Sequence, residues 1–158
     1  MYENLGVYDK SKIGKLISFG SDHIIYNYGA DKVIKFSVIE RFLGRNGREK
    51  VERDYIICKQ FFGKYILDTE FKLSPDGKQI VDIQPKILGH YLAKEDLAEP
   101  FINSQFREIM EAYSALVAAG DAKIDFVGKD GVLKNCMSNI FVTPSGQLSI
   151  NRRDFAGA

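Results

Sequence analysis

Residues 15–36 read KLISFGSDHIIYNYGADKVIKF, and the fold is decided in this stretch. Apolar and polar residues alternate along it, broken by turn signals at Gly20-Ser21-Asp22 and Tyr28-Gly29-Ala30-Asp31. Period-two alternation bounded by such residues predicts three strands, about 14–19, 23–28 and 32–37, joined by tight turns. Tyr26, Tyr28 and Phe36 fall at alternating positions and are expected to pack across strands rather than to stack on bases.

Working outward, residues 1–12 are polar and are expected to form a loosely held lead-in. Downstream, Gly44-Arg45-Asn46-Gly47 is expected to break the chain's local order. Arg48 to Phe62 then carries Val51, Tyr55, Ile56, Cys58 and Phe62 near helical spacing, and Gly63 is its stop signal. Two strands, about 66–73 and 79–84, flank the hairpin turn Ser74-Pro75-Asp76-Gly77. Pro85 and Gly89 mark a connector. A second helix is predicted from Glu99 to Ala119, with Pro100 in its first turn and Gly120 as its stop. Its apolar set, Ile102, Phe106, Ile109, Met110, Tyr113, Leu116 and Val117, follows the 3.6-residue period. A last hairpin pairs Asn139–Thr143 with Gln147–Ile150 around Pro144-Ser145-Gly146. Strands, helix, strands, helix, hairpin is an α+β order, and it predicts two lobes rather than a doubly wound parallel sheet. The expected division is an N-terminal sheet with one helix over 1–84, a hinge over 85–89, and a minimal helical C-terminal lobe with a short hairpin over 90–158.

Composition narrows the function classes. The chain has 158 residues, 45% of them hydrophobic and 27% charged, enough to bury a core unaided. Its 22 basic and 21 acidic residues leave a net charge of +1, so no global field points to nucleic acid or a membrane surface. No apolar run approaches the ~20 residues that span a bilayer. Met1-Tyr2-Glu3-Asn4 lacks the blocks of a signal peptide, and the expected location is the cytoplasm. Cys58 and Cys136 have no zinc-site spacing and are expected to be buried thiols. His23 and His90 are isolated and are expected to be structural or solvated. Lys10, Lys12 and Lys15 read as a solvated segment rather than a nucleic-acid site, and Arg152-Arg153 as a weak candidate for phosphate contact.

Three pieces carry candidate chemistry. Gly20-Ser21 lies in a strand-to-strand turn, where a glycine lets backbone N–H groups approach phosphate oxygens. Lys35, in Val33-Ile34-Lys35-Phe36, is either a solvated strand lysine or a cation held on one sheet face. Held there, it needs an anionic partner, and Glu49 or Glu52 on the following helix can supply it, unless both belong to a solvent-facing stripe. Asn139 and Asp154 bracket the last hairpin. They either converge on one hard cation such as Mg²⁺ or serve as a strand cap and a frayed tail.

Taken in order, these pieces resemble the eukaryotic-type protein kinases over about residues 14–157. Gly20-Ser21 looks like a reduced glycine-rich loop, and Val33-Ile34-Lys35 looks like the strand-three Val-Ala-Ile-Lys motif. The resemblance implies that Glu52 is the helix-C glutamate and that Gln84-Pro85-Lys86 lies at the hinge. Ser138-Asn139-Ile140-Phe141-Val142 is similar to the segment with the metal-binding Asn, and Asp154-Phe155-Ala156 to Asp-Phe-Gly. It further implies ATP and Mg²⁺ bound in a cleft between lobes, with Gly20, Ser21, Lys35, Glu52, Gln84 and Lys86 at the nucleotide and Asn139 and Asp154 at the metal.

The departures from the family pattern set the expectation for catalysis. The catalytic-loop Asp belongs five positions before the metal-binding Asn, and Lys134 stands there. No His-Arg-Asp precedes it, and Asp125 and Asp130 are out of register. Asn139 to Asp154 is about two residues longer than the family spacing. The chain stops at Ala158, before an activation segment or the helices that hold a protein substrate. Two functions stay open: a kinase-like ATP/Mg-binding protein with weak phosphotransfer to an unknown acceptor, or an inactive pseudokinase-like module for a protein partner. Completion by another polypeptide is a third.

Overall fold

The computed structural model describes residues 5–19, 23–37, 40–120 and 140–150, with the backbone alone for 40–48, 50 and 51. Its contacts divide into two compact units, with boundaries at Arg53/Asp54, Leu67/Asp68 and Lys86/Ile87. No helix among the described residues is long and apolar enough to cross a membrane.

The first unit is a five-stranded antiparallel sheet of β1 (Ile13–Phe19), β2 (His23–Tyr28), β3 (Lys32–Ser37), β4 (Glu70–Leu73) and β5 (Ile80–Pro85), in the order β1-β2-β3-β5-β4. The three strands expected from residues 15–36 are present. Register then sorts the side chains by face. Tyr26 pairs with Ile34 and Ile34 with Ile83, while Ile24 pairs with Phe36 and Phe36 with Val81. These rows make one apolar face, whose buried members are Tyr28, Ile34, Val81 and Ile83. The aromatics pack as expected: Tyr26 meets Phe36 edge to face at 5.8 Å.

Two expectations fail in this unit. Residues 5–12 are tied down rather than loose. Val7 forms a parallel bridge with Leu73, and the Leu73 N–H donates to Gly6 O at 2.9 Å. The Asp9 carboxylate caps the 3-10 turn Lys10–Lys12 by accepting the Ser11 N–H. β4 is an edge strand whose free backbone groups need a cover, and this segment supplies it. The first helix, α1 (Glu40–Phe62), also begins well before Arg48 and runs through Gly44-Arg45-Asn46-Gly47. A helical glycine costs only about 1 kcal/mol, and propagation of a long helix absorbs that.

The second unit takes the end of α1, the helix α2 (Pro100–Ala118), and a three-stranded antiparallel sheet, β6 (His90–Tyr91), β7 (Ile140–Val142) and β8 (Leu148–Ile150), in the order β6-β7-β8. Its core joins Cys58, Phe62, Tyr65, Ile66 and Leu92 to Ile102, Ile109 and Leu116 of α2 and to the apolar residues of β7 and β8. Cys58 is buried, as expected. The strand expected over 66–73 begins only at Glu70. Gly63–Tyr65 is a 3-10 turn, and Ile66 is buried here, bridged to Ile150. The apolar character of Tyr65 and Ile66 belongs to this core and not to the five-stranded sheet. Gly89 explains the entry into β6: at φ +146° an added Cβ would lie 2.0 Å from the Val142 carbonyl oxygen.

Candidate functional site

The second face of the five-stranded sheet mixes polar and apolar side chains where the first is apolar. Residues alternate faces along a strand, so Val33 and Lys35 share the side opposite to Ile34 and Phe36. Across the sheet, Lys35 pairs with Ile25 on β2 and with Asp82 on β5, and Asp82 pairs with Phe71 on β4. One residue row therefore reads Ile25, Lys35, Asp82, Phe71. The neighbouring row places Asn27, Val33 and Gln84 side by side.

Lys35 and Asp82 are each 8% exposed, and they are the two formally charged residues in the buried set of the described residues. Lys35 is therefore no solvated strand lysine. Gln84 is 2% exposed and donates from Nε2 to Thr69 Oγ1 at 2.8 Å. Its Oε1 is buried with no hydrogen-bond partner. A buried amide oxygen left unpaired is uncommon and is an acceptor in waiting for a donor group.

The other expected residues are distributed differently. Glu52 is half-buried on α1, and Glu49 is exposed. Lys86 is exposed and turned to the β2–β3 end of the sheet, where Nζ donates to Asn27 Oδ1 at 3.0 Å and its backbone N–H to Asp31 O. Gly20, Ser21, Lys134, Asn139 and Asp154 lie outside the described residues, as do Cys136, Asp125, Asp130 and Arg152-Arg153. Phe19 and Ile140 are the described neighbours of Gly20 and Asn139, at the end of β1 and the start of β7. No group of three metal-ligating side chains occurs among the described residues.

Asp82 is the residue that sequence reasoning passed over. Its signal was a lone carboxylate inside Ile80-Val81-Asp82-Ile83, an apolar strand run in which a charge is out of place unless it has a partner. His90, read as isolated, has a neighbour from the next turn: its Nε2 lies 2.9 Å from Asp96 Oδ2. The His90 side chain of that pair is largely exposed.

No protein-family model and no curated protein matches the chain. Solved structures match it by shape. A pseudokinase in its apo form superposes with a TM-score of 0.60 at 7% identity, over 96% of this chain and 63% of that one. The pseudokinase DRIK1 (drought responsive inactive kinase 1), co-crystallised with ENMD-2076, gives 0.56 at 8% identity, over 98% and 64%. The apo form of PpkA-294 gives 0.57 at 14% identity, over 96% and 61%. The chain thus spans somewhat under two thirds of the length of each. At these identities the likeness establishes the fold, and the fold is protein-kinase-like.

Proposed function

We propose that this chain is a kinase-like nucleotide-binding protein that takes ATP on the Lys35 face of its five-stranded sheet. One observation carries the reading: a cation on β3 is held almost fully buried, one row from a buried amide oxygen with no partner. A buried ammonium suits an anionic phosphate, and a free acceptor suits the amino group of a base. In this reading Lys35 meets the α- and β-phosphates, Glu52 steadies it, and Gly20 and Ser21 cover the phosphates. Gln84 and Lys86 border the base. Mg²⁺ would be held by Asn139 and Asp154 and would neutralise phosphate charge. That assignment rests on the sequence pattern, because neither residue is among those described.

If the bound nucleotide reacts, the reaction lacks the family's base, since Lys134 occupies that position. Transfer would then rest on positioning and electrostatics, which supply most of phosphoryl-transfer catalysis. A second reading, a pseudokinase-like module that binds a protein partner in the cytoplasm, is favoured by the same Lys134. Calorimetric titration of ATP with and without Mg²⁺, followed by a phosphate-release assay, separates the two. Saturable binding strengthened by Mg²⁺ supports the nucleotide reading. Absence of binding overturns it, and binding without turnover assigns the chain to the inactive class.

A further inference from the structure

We propose that the outer edge of β1, with the apolar groove beside it, is a docking surface for an extended acidic segment of a protein partner, which adds to the sheet as a further strand. The five-stranded sheet has two edges, β4 and β1. The β4 edge is covered by this chain's own residues 5–12, through the Val7–Leu73 bridge. Among the described residues β1 pairs with β2 alone, and no strand lies along its other side. Gly14, Lys15, Leu16 and Ile17 are exposed in succession. Leu16 is 48%, Ile17 46% and Phe19 75% exposed, which is more apolar area than an edge strand ordinarily shows to water.

Beside this edge the apolar face of the sheet is open. Ile13 and Phe19 of β1, Ile24 and Tyr26 of β2 and Phe36 of β3 line a groove of about 590 Å³. Strand addition supplies main-chain hydrogen bonds, and such a groove seats one large side chain of the added strand. Charge names the occupant. From Lys10 to Phe19 the chain carries Lys10, Lys12 and Lys15 and no acidic residue, and all three lysines are exposed. Asp9, just before them, already accepts the Ser11 N–H and hydroxyl. A strand with carboxylates opposite these lysines is drawn to the edge. Two copies of this chain paired edge to edge would instead bring like charges together, and the register shifts in β1 further hinder that pairing. A nucleic acid would meet the lysines but has no strand to offer the ladder. The surface goes beyond the nucleotide reading and does not rest on it, because the groove opens on the face opposite to Lys35.

Fluorescence anisotropy with a labelled peptide, Glu-Ile-Glu-Phe-Glu-Ile-Glu, tests this. One control peptide has every Glu replaced by Lys, and another has alternate backbone amides N-methylated. The acidic peptide should bind saturably, and both controls should bind about tenfold or more weakly. Phe19→Ser and, separately, Lys12→Glu/Lys15→Glu change exposed positions, so circular dichroism should show the fold kept. Each should weaken the acidic peptide by about tenfold or more, and the charge-reversed variant should favour the lysine peptide. Absence of saturable binding overturns the proposal, as does an N-methylated peptide that binds equally well or binding indifferent to both variants. Displacement of the peptide by excess ATP would move it to the Lys35 face and also overturn the proposal. A single-stranded oligonucleotide that displaces it would make the edge a nucleic-acid surface instead. A mass that rises with concentration and is lost in Phe19→Ser would give the edge to a second copy, against the proposal. A parent that binds the peptide but no ATP supports the proposal and removes the nucleotide reading alone.

Discussion

The side chain of Gln105, on α2, holds the backbone of Leu148, on β8: its Oε1 accepts the Leu148 N–H at 3.0 Å. The same amide donates from Nε2 to the Gly146 carbonyl at 2.9 Å. Gln105 is 4% exposed, so both of its polar atoms are satisfied inside the protein. One side chain thereby ties the helix to the β7–β8 hairpin. Gln105→Leu keeps the volume and abandons both backbone groups. It should destabilise the protein by about 2–4 kcal/mol, the range for leaving buried polar groups unpaired. Urea denaturation measures this, and a change under about 0.5 kcal/mol would deny the latch its role.

Gly89 is a position where only glycine fits. Its φ of +146° is outside the range of L side chains, and an added Cβ would press within 2.0 Å of the Val142 carbonyl oxygen. Gly89→Ala should therefore cost about 3 kcal/mol or more by combining backbone strain with a steric clash. It should also uncouple β6 from β7, whose pairing is His90 with Val142 and Tyr91 with Phe141. Loss of hydrogen-exchange protection confined to residues 89–92 would show this directly. A variant as stable as the parent would mean that the connector relaxes freely.

Much of the first unit was legible because its signals are local. Alternation and turn residues in 15–36 report strand pairing without reference to the rest of the chain, and the three strands appear where expected. The signals misled where burial was decided at a distance. Ile66 looks like the start of a strand but is claimed by the core that holds Ile150. The Gly44–Gly47 stretch looks like a break, yet helix cooperativity carries α1 through it. At the candidate site, Lys35 and Gln84 were visible through a motif resemblance. Asp82 was not, because its meaning depends on the β3–β5 register, which brings together residues 47 positions apart. Sequence spacing does not show which strand becomes which strand's neighbour.

The acid limb of stability should depend on Asp96. Its carboxyl is held below the usual carboxylate range, first by the Ala93 N–H that it accepts at 2.8 Å and further by His90. A folded-state value below the unfolded one near ~3.9 means the contribution is complete at pH above that value. It disappears as pH falls through the folded value. Asp9 and Asp76 are lowered in the same direction, by hydrogen bonds from Ser11 and Ser74 respectively, so their contributions are lost in the same window. Parent and Asp96→Asn should differ in denaturation midpoint at pH 7, and the difference should shrink as pH falls below the ordinary carboxylate range. A difference that stays constant as the pH is lowered would exclude Asp96 as a source of the pH dependence.

The metal assignment can be tested at Asp154, which stands in the Asp-Phe-Ala sequence that resembles a metal-binding motif. Asp154→Ala should weaken ATP binding in Mg²⁺ more than binding in its absence. A carboxylate that meets the metal is felt only when the metal is there. Calorimetry of both proteins with and without Mg²⁺ reads the difference. An unchanged Mg²⁺ dependence would remove Asp154 from the site and leave Asn139 without a partner in the proposed metal set.

Lys35 carries the nucleotide reading most directly. Lys35→Met retains most of the stem and removes the ammonium, so loss of ATP affinity reports the charge rather than the packing. The expected loss is about 1.5–3 kcal/mol, the range for a hydrogen bond to a charged group, which is roughly ten- to a hundredfold in dissociation constant. Burial sharpens the expectation. At 8% exposure Lys35 is far from the surface positions whose substitution moves free energies by only about 0.5 kcal/mol. Glu52→Gln should lose less, because a half-buried helix carboxylate adjusts the lysine without removing its charge. The variant's fold is checked first by circular dichroism, since removing a buried charge from its partners also lowers stability. A folded Lys35→Met protein that binds ATP as tightly as the parent would take the phosphates away from this face of the sheet.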